Sequence, residues 1–185
     1  MSRRALLRTL LVAVLAALAA PAARATVLVP ADLNELTSSA LAIVHARIID
    51  VRAVTTDDRR RVETVVVAES LGYLKGDIGR TITFRIPGGQ VGAYRTVMVG
   101  APSFSVGEET VLFFGARGPA LPYLVGFSQG VFRVRQDERT GRRVVIPAPA
   151  LSSGATVAMA RGTRPPMAFE TFAAQVRALV AGSAR

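Results

Sequence analysis

The stretch AIVHARIIDVRA at residues 42–53 predicts the fold more clearly than any other part of the chain. In its first half, apolar and polar side chains alternate as on the two faces of a strand: Ala42, Val44, Ala46 and Ile48 against His45 and Arg47. From Ile49 onward the parity is reversed, with Ile49, Val51 and Ala53 against Asp50 and Arg52. A parity change inside one long strand is typical of a β-bulge, which bends the strand. We therefore predict a long, bulged first strand.

Further runs of this kind recur along the chain, separated by turns that contain glycine or proline, as in all-β domains. We predict strands at 62–68, 81–86, 94–99, 110–114, 123–127, 131–135 and 143–146. Helical periodicity occurs at 31–39 and at 168–180, where the apolar stripe is Phe169, Phe172, Ala173, Val176, Leu179 and Val180. The predicted fold class is mainly β, a small barrel or a β-sandwich, with a short N-terminal helix and a C-terminal amphipathic helix that plugs or flanks the sheet.

Residues 1–25 have the pattern of a signal peptide: a basic start, an uncharged run over 10–20 and the small-x-small sequence Ala23-Arg24-Ala25. We predict export with cleavage after Ala25, leaving a single domain over 26–185 in which 147–167 is an irregular connection. The apolar run is shorter than the roughly 18–20 residues that span a bilayer, so no transmembrane segment is expected after cleavage. Arg3 and Arg4 fit either the general or the twin-arginine export route. The sequence is equally compatible with a protein that stays in the periplasm and with one that is released from the cell.

The composition limits the chemistry that an exported domain could carry. There is no cysteine and only one histidine, His45, so neither disulfides nor a zinc site is expected, and nothing indicates a cofactor. Removal of residues 1–25, which hold four arginines and no acidic residue, would lower the formal net charge from +10 to +6. Outside the cytoplasm, such a charge favours a protein partner with acidic groups or an anionic envelope component over nucleic acid.

The sequence GFSQG at 126–130 matches the nucleophile motif G-x-S-x-G, with Ser128 as the serine. That motif requires a helix after the serine and a histidine later in the chain, whereas a strand is predicted at 131–135 and His45 lies upstream. We therefore interpret 126–130 as a glycine-bracketed turn or bulge between two strands. His45 is interpreted as a polar-face strand residue near Arg47.

Arginines cluster around a predicted hairpin whose tip is at 137–141. If Phe132 and Val134 point inward, Arg133 and Arg135 share the outer face and could meet phosphates or a carboxylate-rich partner. The alternative is a solvated, charge-protected strand, which we favour because Asp137 and Glu138 dilute the patch.

Several motifs are similar to those of a family of uncharacterised exported bacterial β-domains: LTSSALAIV at 36–44, LKG at 74–76, GAPSF at 100–104, GE at 107–108, VLF at 111–113 and QGVFRV at 129–134. Their arrangement loosely resembles the OB-like barrel of netrin-type and metalloproteinase-inhibitor modules. The resemblance implies a barrel with a face and loops available to a partner. Members of the inhibitor family chelate zinc through an N-terminal cysteine, which this chain lacks, so no inhibitory residue is carried over.

The expected function is that of an exported, non-enzymatic binding module for a protein or an envelope component. In an OB-like barrel the expected surface is on the second and third strands and adjoining loops: here Glu63, Thr81, Thr83 and Arg85 with the 55–60 turn. The alternatives are a secreted hydrolase that uses Ser128, an inhibitor or accessory of a secreted protease, and a structural envelope component.

Overall fold

The computed structural model describes residues 31–56, 61–116, 118, 120–147 and 166–183. The predicted signal peptide with its cleavage position, residues 57–60 and residues 148–165 lie outside the described residues. The helices are α1 (Leu33–Ser39) and α2 (Phe169–Ser183), and a 3-10 turn covers Phe127–Gly130. The strands are β1 Ala42–Thr55, β2 Val62–Lys75, β3 Thr81–Pro87, β4 Gly89–Val91, β5 Tyr94–Thr96, β6 Glu109–Gly115, β7 Tyr123–Leu124, β8 Val131–Gln136, β9 Arg143–Pro147 and β10 Met167–Ala168.

One antiparallel sheet of eight strands has the order β10-β9-β8-β6-β1-β2-β3, with β7 paired to the end of β6. The hairpin β4-β5 is separate from it. The register of β1 against β2 shifts between Ile48 and Asp50, so Ile49 is the extra residue at the position where the sequence parity reverses. This confirms the predicted bulge, which increases the local twist of the longest strand pair.

The sheet bends strongly over one of its faces. In the strand order, β3 is three positions from β6, which in a flat sheet would separate them by about 14 Å. The rings of Phe84 on β3 and Phe114 on β6 nevertheless lie 5.1 Å apart, edge to face. Around them, the core on this face holds the inward residues of four strands and the start of β8: Val44, Ala46, Ile48, Val66, Ala68, Ile82, Phe84, Ile86, Leu112, Phe114 and Val131.

The opposite face of the sheet is covered by the two helices. Phe132 of β8 stacks against Phe172 of α2 at 4.9 Å, and the predicted apolar stripe of α2 lies in this second core. Asp32 caps the start of α1, where its carboxylate accepts a hydrogen bond from the Glu35 amide at 2.7 Å. The ammonium group of Lys75 donates to the carbonyl of Thr37 near the end of the same helix.

The predicted mainly-β fold with a helix towards each end is confirmed, and α2 flanks the sheet. The sheet is not closed into a barrel, because β3 and β10 are its two ends and each pairs on one side only within the described residues. Such a folded-over, open sheet is consistent with the sandwich alternative. In the described part of the chain, no helix has the length and apolar character needed to cross a membrane.

Several predicted boundaries were wrong. β2 continues through Gly72 to Lys75 because β1 pairs with it along its full length. The strand predicted at 123–127 ends at Leu124, and the one predicted at 94–99 ends at Thr96. At the ends of the predicted irregular segment 147–167, Pro147 lies in β9 and Met167 in β10, and these two strands pair with each other.

Candidate binding surface

The register of the strands β1, β2 and β3 brings together the polar residues of their outer face. Arg52 lies opposite Val65, and Val65 lies opposite Arg85, so two arginines flank one valine in a row across three strands. In the same way, Val54 and Glu63 form the next row with Pro87. The side chains of these rows point away from the core because their neighbours in sequence on β3, Ile82, Phe84 and Ile86, point into it.

A groove of about 590 Å³ runs over these rows, and we call it the outer groove. Its walls are Arg52, Val54, Glu63, Val65, Thr83 and Arg85, with Leu121 on one side. Thr55 and Thr56, the first residues of the predicted 55–60 turn, also line it. The groove therefore contains three of the four residues predicted on the second and third strands.

The fourth predicted residue, Thr81, lies outside the outer groove. It is exposed at the start of β3, opposite Glu69 of β2. The neighbouring Arg80 forms an ion pair with Glu69 at 3.2 Å.

Both arginines of the outer groove have weak, exposed partners. Nη1 of Arg85 lies 3.1 Å from Oε2 of Glu63, and Nε of Arg52 lies 3.8 Å from Oδ2 of Asp50. The two arginine side chains are 55% and 65% exposed. Ion pairs this exposed contribute at most about 1 kcal/mol each. The guanidinium groups can therefore exchange their intramolecular partners for the carboxylates of a ligand at little cost.

A second, more apolar groove of about 550 Å³ lies beside the end of β3, and we call it the edge groove. Its walls include Ile86, Pro102, Leu121, Leu124 and Phe127. Leu121 is 47% exposed and Phe127 is 40% exposed, so apolar surface is open to solvent here. Arg85 and Leu121 line both grooves, which therefore meet at the C-terminal part of β3.

Arg133 and Arg135 do not form the basic stripe that their spacing allows. Phe132 and Val134 point inward as predicted, but Arg133 is held on the opposite face of the sheet by the 103–108 loop. Its Nε donates to Oε1 of Glu108, whose side chain is only 7% exposed, and its Nη2 donates to the carbonyl of Ser103 at 2.8 Å. Arg135 is exposed near the hairpin tip.

Ser128 is placed as the turn interpretation predicts. It lies in the 3-10 turn between β7 and β8, directly after Gly126 and Phe127, which both have a positive φ. The side chain is 5% exposed, and its buried Oγ has no hydrogen-bond partner among the described residues. It is not a wall of the outer or the edge groove.

The structure corrects the interpretation of His45. Instead of lying on a solvated face, the side chain is 9% exposed, and its ring packs at 4.7 Å from the ring of Phe169 at the start of α2. Its Nε2 is 3.4 Å from Oε2 of Glu109, too long for a well-formed hydrogen bond, while Nη2 of Arg47 donates to Oε1 of the same carboxylate at 2.6 Å. Alternation placed His45 and Arg47 on one face but could not show that α2 covers it.

The pKa values of His45 and Glu109 in this cluster are both lowered, but for different reasons. Burial lowers the pKa of His45, although the Glu109 carboxylate partly opposes the shift. The hydrogen bond from Arg47 lowers the pKa of Glu109. Within the described ranges, no group of three or more acidic or histidine side chains could hold a metal ion.

No family model, no curated protein and no solved structure matches this chain. The choice between its candidate surfaces therefore rests on the geometry of the chain itself.

Proposed function

We propose that this chain is an exported, non-enzymatic module that binds a protein partner with acidic groups through the outer groove. The observation that carries the proposal is the row Arg52-Val65-Arg85, in which two exposed guanidinium groups flank an apolar side chain inside a groove. Planar guanidinium groups bind carboxylates with two parallel hydrogen bonds, whereas Val65 between them is only 6% exposed and closes the groove beneath them. Export is supported by the signal-peptide pattern of residues 1–25.

The polar groups of the groove favour recognition over catalysis. Among the described residues that line it, the carboxylate is Glu63, which is paired with Arg85, and the other polar groups are threonine hydroxyls and Arg52. General acid–base catalysis uses a side chain positioned to move a proton, most often a histidine or a carboxylate, and the described walls of the groove hold one carboxylate and no histidine. The overall positive charge of the chain also favours the approach of an acidic partner.

The test compares capture of partners from the exported fraction of the host cells by the wild-type protein and by Arg85→Ala. Arg80→Ala is the matched control, because Arg80 and Arg85 each pair with a glutamate of β2 but only Arg85 lines the groove. We expect Arg85→Ala to weaken capture at least fivefold and Arg80→Ala to leave it unchanged. Equal capture by both variants would contradict the proposed surface.

Two further measurements check the rest of the proposal. Capture should weaken as salt is raised from about 0.05 to 0.5 M, because the contacts are between charges. The mass of the protein recovered from the cell envelope or the medium should correspond to a chain that begins at Thr26. A full-length chain found only in the cytoplasm would overturn the export part, and capture of lipid without protein would replace the protein partner by an envelope component.

A further inference from the structure

The backbone of β3 has a free edge with a regular set of hydrogen-bonding groups. In the ladder with β2, the flanking pairs are bonded: Ser70 N–H donates to the Arg80 carbonyl at 2.8 Å, and Gly88 N–H donates to the Val62 carbonyl at 3.0 Å. These two pairs lie in the same register as the ladder between them. In an antiparallel ladder every second pair is hydrogen-bonded, so the even-numbered residues of β3 are the ones bonded to β2. The N–H and C=O groups of Thr81, Thr83 and Arg85 therefore point away from β2.

Nothing in the described part of the chain pairs with this edge. β3 is the last strand of the sheet, and between the described residues no backbone hydrogen bond outside the ladders involves Thr81, Thr83 or Arg85. The next residue of this series is Pro87, whose nitrogen also points away from β2, so its lack of an N–H removes no bond from the ladder with β2. The free edge thus offers three donors and three acceptors and ends at a proline.

The two ends of the sheet differ in length and in cover. The end strand β10 has two residues and continues directly into α2, whereas β3 has seven residues and pairs with β2 without a register shift. β7 lies close to β3, but its ladder is with β6. Long, regular edges without a ladder partner are uncommon because they pair readily with other chains. The edge of β3 also lies between the outer groove and the edge groove, so an added strand would have a wall of the protein on each side.

We propose that the partner contributes an extended segment that pairs with the edge of β3 and in which acidic and apolar side chains alternate. This inference rests on the proposed function and adds the mode of binding and the chemistry of the segment. Side chains of a strand point alternately to its two sides, so one set would face Arg85 and the other the apolar edge groove. About five residues of the segment would use all the free backbone groups, and such pairing is an established mode of peptide recognition.

A second copy of this chain fits the edge less well. The apolar residues of its own β3 are already buried, with Ile82, Phe84 and Ile86 at most 4% exposed, so they could not fill the edge groove of the first copy. Two copies would also carry the same net charge of +10, or +6 after cleavage, and would repel each other. A separate acidic segment avoids both costs.

The experiment measures amide hydrogen exchange, residue by residue, in the exported chain with a nine-residue peptide in which glutamate and valine alternate. At a peptide concentration one hundred times its Kd, exchange at Thr81, Thr83 and Arg85 should slow about a hundredfold. The amides of Ile82, Phe84 and Ile86, which are bonded to β2, should exchange slowly with and without peptide. Peptides with alternate backbone nitrogens methylated, or with lysine in place of glutamate, should bind at least tenfold more weakly.

Protein variants provide an independent comparison. Thr83→Pro removes the central edge-facing N–H, whereas Thr83→Val keeps that N–H and removes only the hydroxyl. We expect Thr83→Pro to bind the peptide at least tenfold more weakly than Thr83→Val, and equal binding by the two variants would contradict pairing through the backbone. Unchanged slow exchange at Ile82 and Phe84 shows that a variant is folded. If Thr83→Pro does not fold, the methylated peptide tests the need for backbone hydrogen bonds on the wild-type protein.

Each outcome distinguishes the mode of binding from the proposed function. If Arg85→Ala abolishes partner capture but the edge amides gain no protection, the edge inference is overturned and the outer groove stands. If neither variants nor peptides affect capture, both are overturned. Slow exchange at Thr81 and Thr83 in the free protein would show that the edge is already paired and would overturn the inference. Sedimentation would then show whether a second copy or another segment of the same chain pairs with it.

Discussion

Arg133 stabilises the fold, and its truncation gives a quantitative test of the contacts described above. We consider Arg133→Met, which keeps an apolar stem of similar length and removes the guanidinium group. Two interactions are lost: the charged hydrogen bond to Glu108 and the hydrogen bond to the Ser103 carbonyl. Among the described residues, the Glu108 carboxylate, 7% exposed, then keeps only the hydrogen bond from the Ser105 amide at 3.1 Å.

The expected cost follows from the burial of the two partners. A hydrogen bond to a charged group contributes about 1.5–3 kcal/mol, and removal of one partner from a fully buried pair costs about 3–5 kcal/mol. The side chain of Arg133 is 28% exposed, and water can reach part of the vacated site, so the cost lies below the fully buried range. We therefore expect Arg133→Met to lower the free energy of unfolding by about 2 kcal/mol, a decrease in Tm of roughly 4–8 °C.

Urea denaturation followed by circular dichroism measures this difference. Arg135→Met is the matched control on the same strand, and because Arg135 is exposed its effect should stay within about 0.5 kcal/mol. Glu108→Gln and the double variant complete a cycle in which the two single effects should not add. A loss no larger for Arg133→Met than for Arg135→Met would contradict a stabilising role of the Arg133 contacts. A simultaneous loss of partner capture by folded Arg133→Met would restore Arg133 as a binding residue.

Two further predictions concern the turn after β7 and the cluster under α2. A methyl group at Gly130 would overlap the Val125 carbonyl oxygen, whereas nothing lies within 4 Å of a methyl group at Gly72. Gly130→Ala should therefore lower the free energy of unfolding by about 1–3 kcal/mol and Gly72→Ala by less than 1 kcal/mol. Thermal unfolding measures both changes. Burial lowers the pKa of His45, and the hydrogen bond from Arg47 lowers that of Glu109, so both groups bind protons more readily in the unfolded chain. The folded state should therefore be most stable above pH 7. Its stability should fall on acidification, first through His45 below about pH 6.5 and then through Glu109. His45→Gln should flatten the upper part of this pH dependence in urea titrations, and an unchanged slope between pH 7 and 5 would contradict the assigned cause.

The sequence identified which residues face the solvent on β3, because the alternation of Thr81, Thr83 and Arg85 with buried neighbours has a period of two. It could not show that Arg52 lies across from Val65, since that pairing depends on the bulge at Ile49, which shifts the register of β1 by one residue. It also could not separate Arg133 from Arg135. Both occupy the same face of β8, but the loop that carries Glu108 reaches only the first of them.

The local pattern of apolar side chains determined the mainly-β fold, the bulged first strand and the apolar stripe of α2, because each depends on residues close together in the chain. Which face α2 covers, and therefore the burial of His45, was decided by contacts between residues more than one hundred positions apart. The same holds for the end of the sheet. Whether β3 has a second neighbour depends on where the other strands go, and no feature of residues 81–87 alone contains that information.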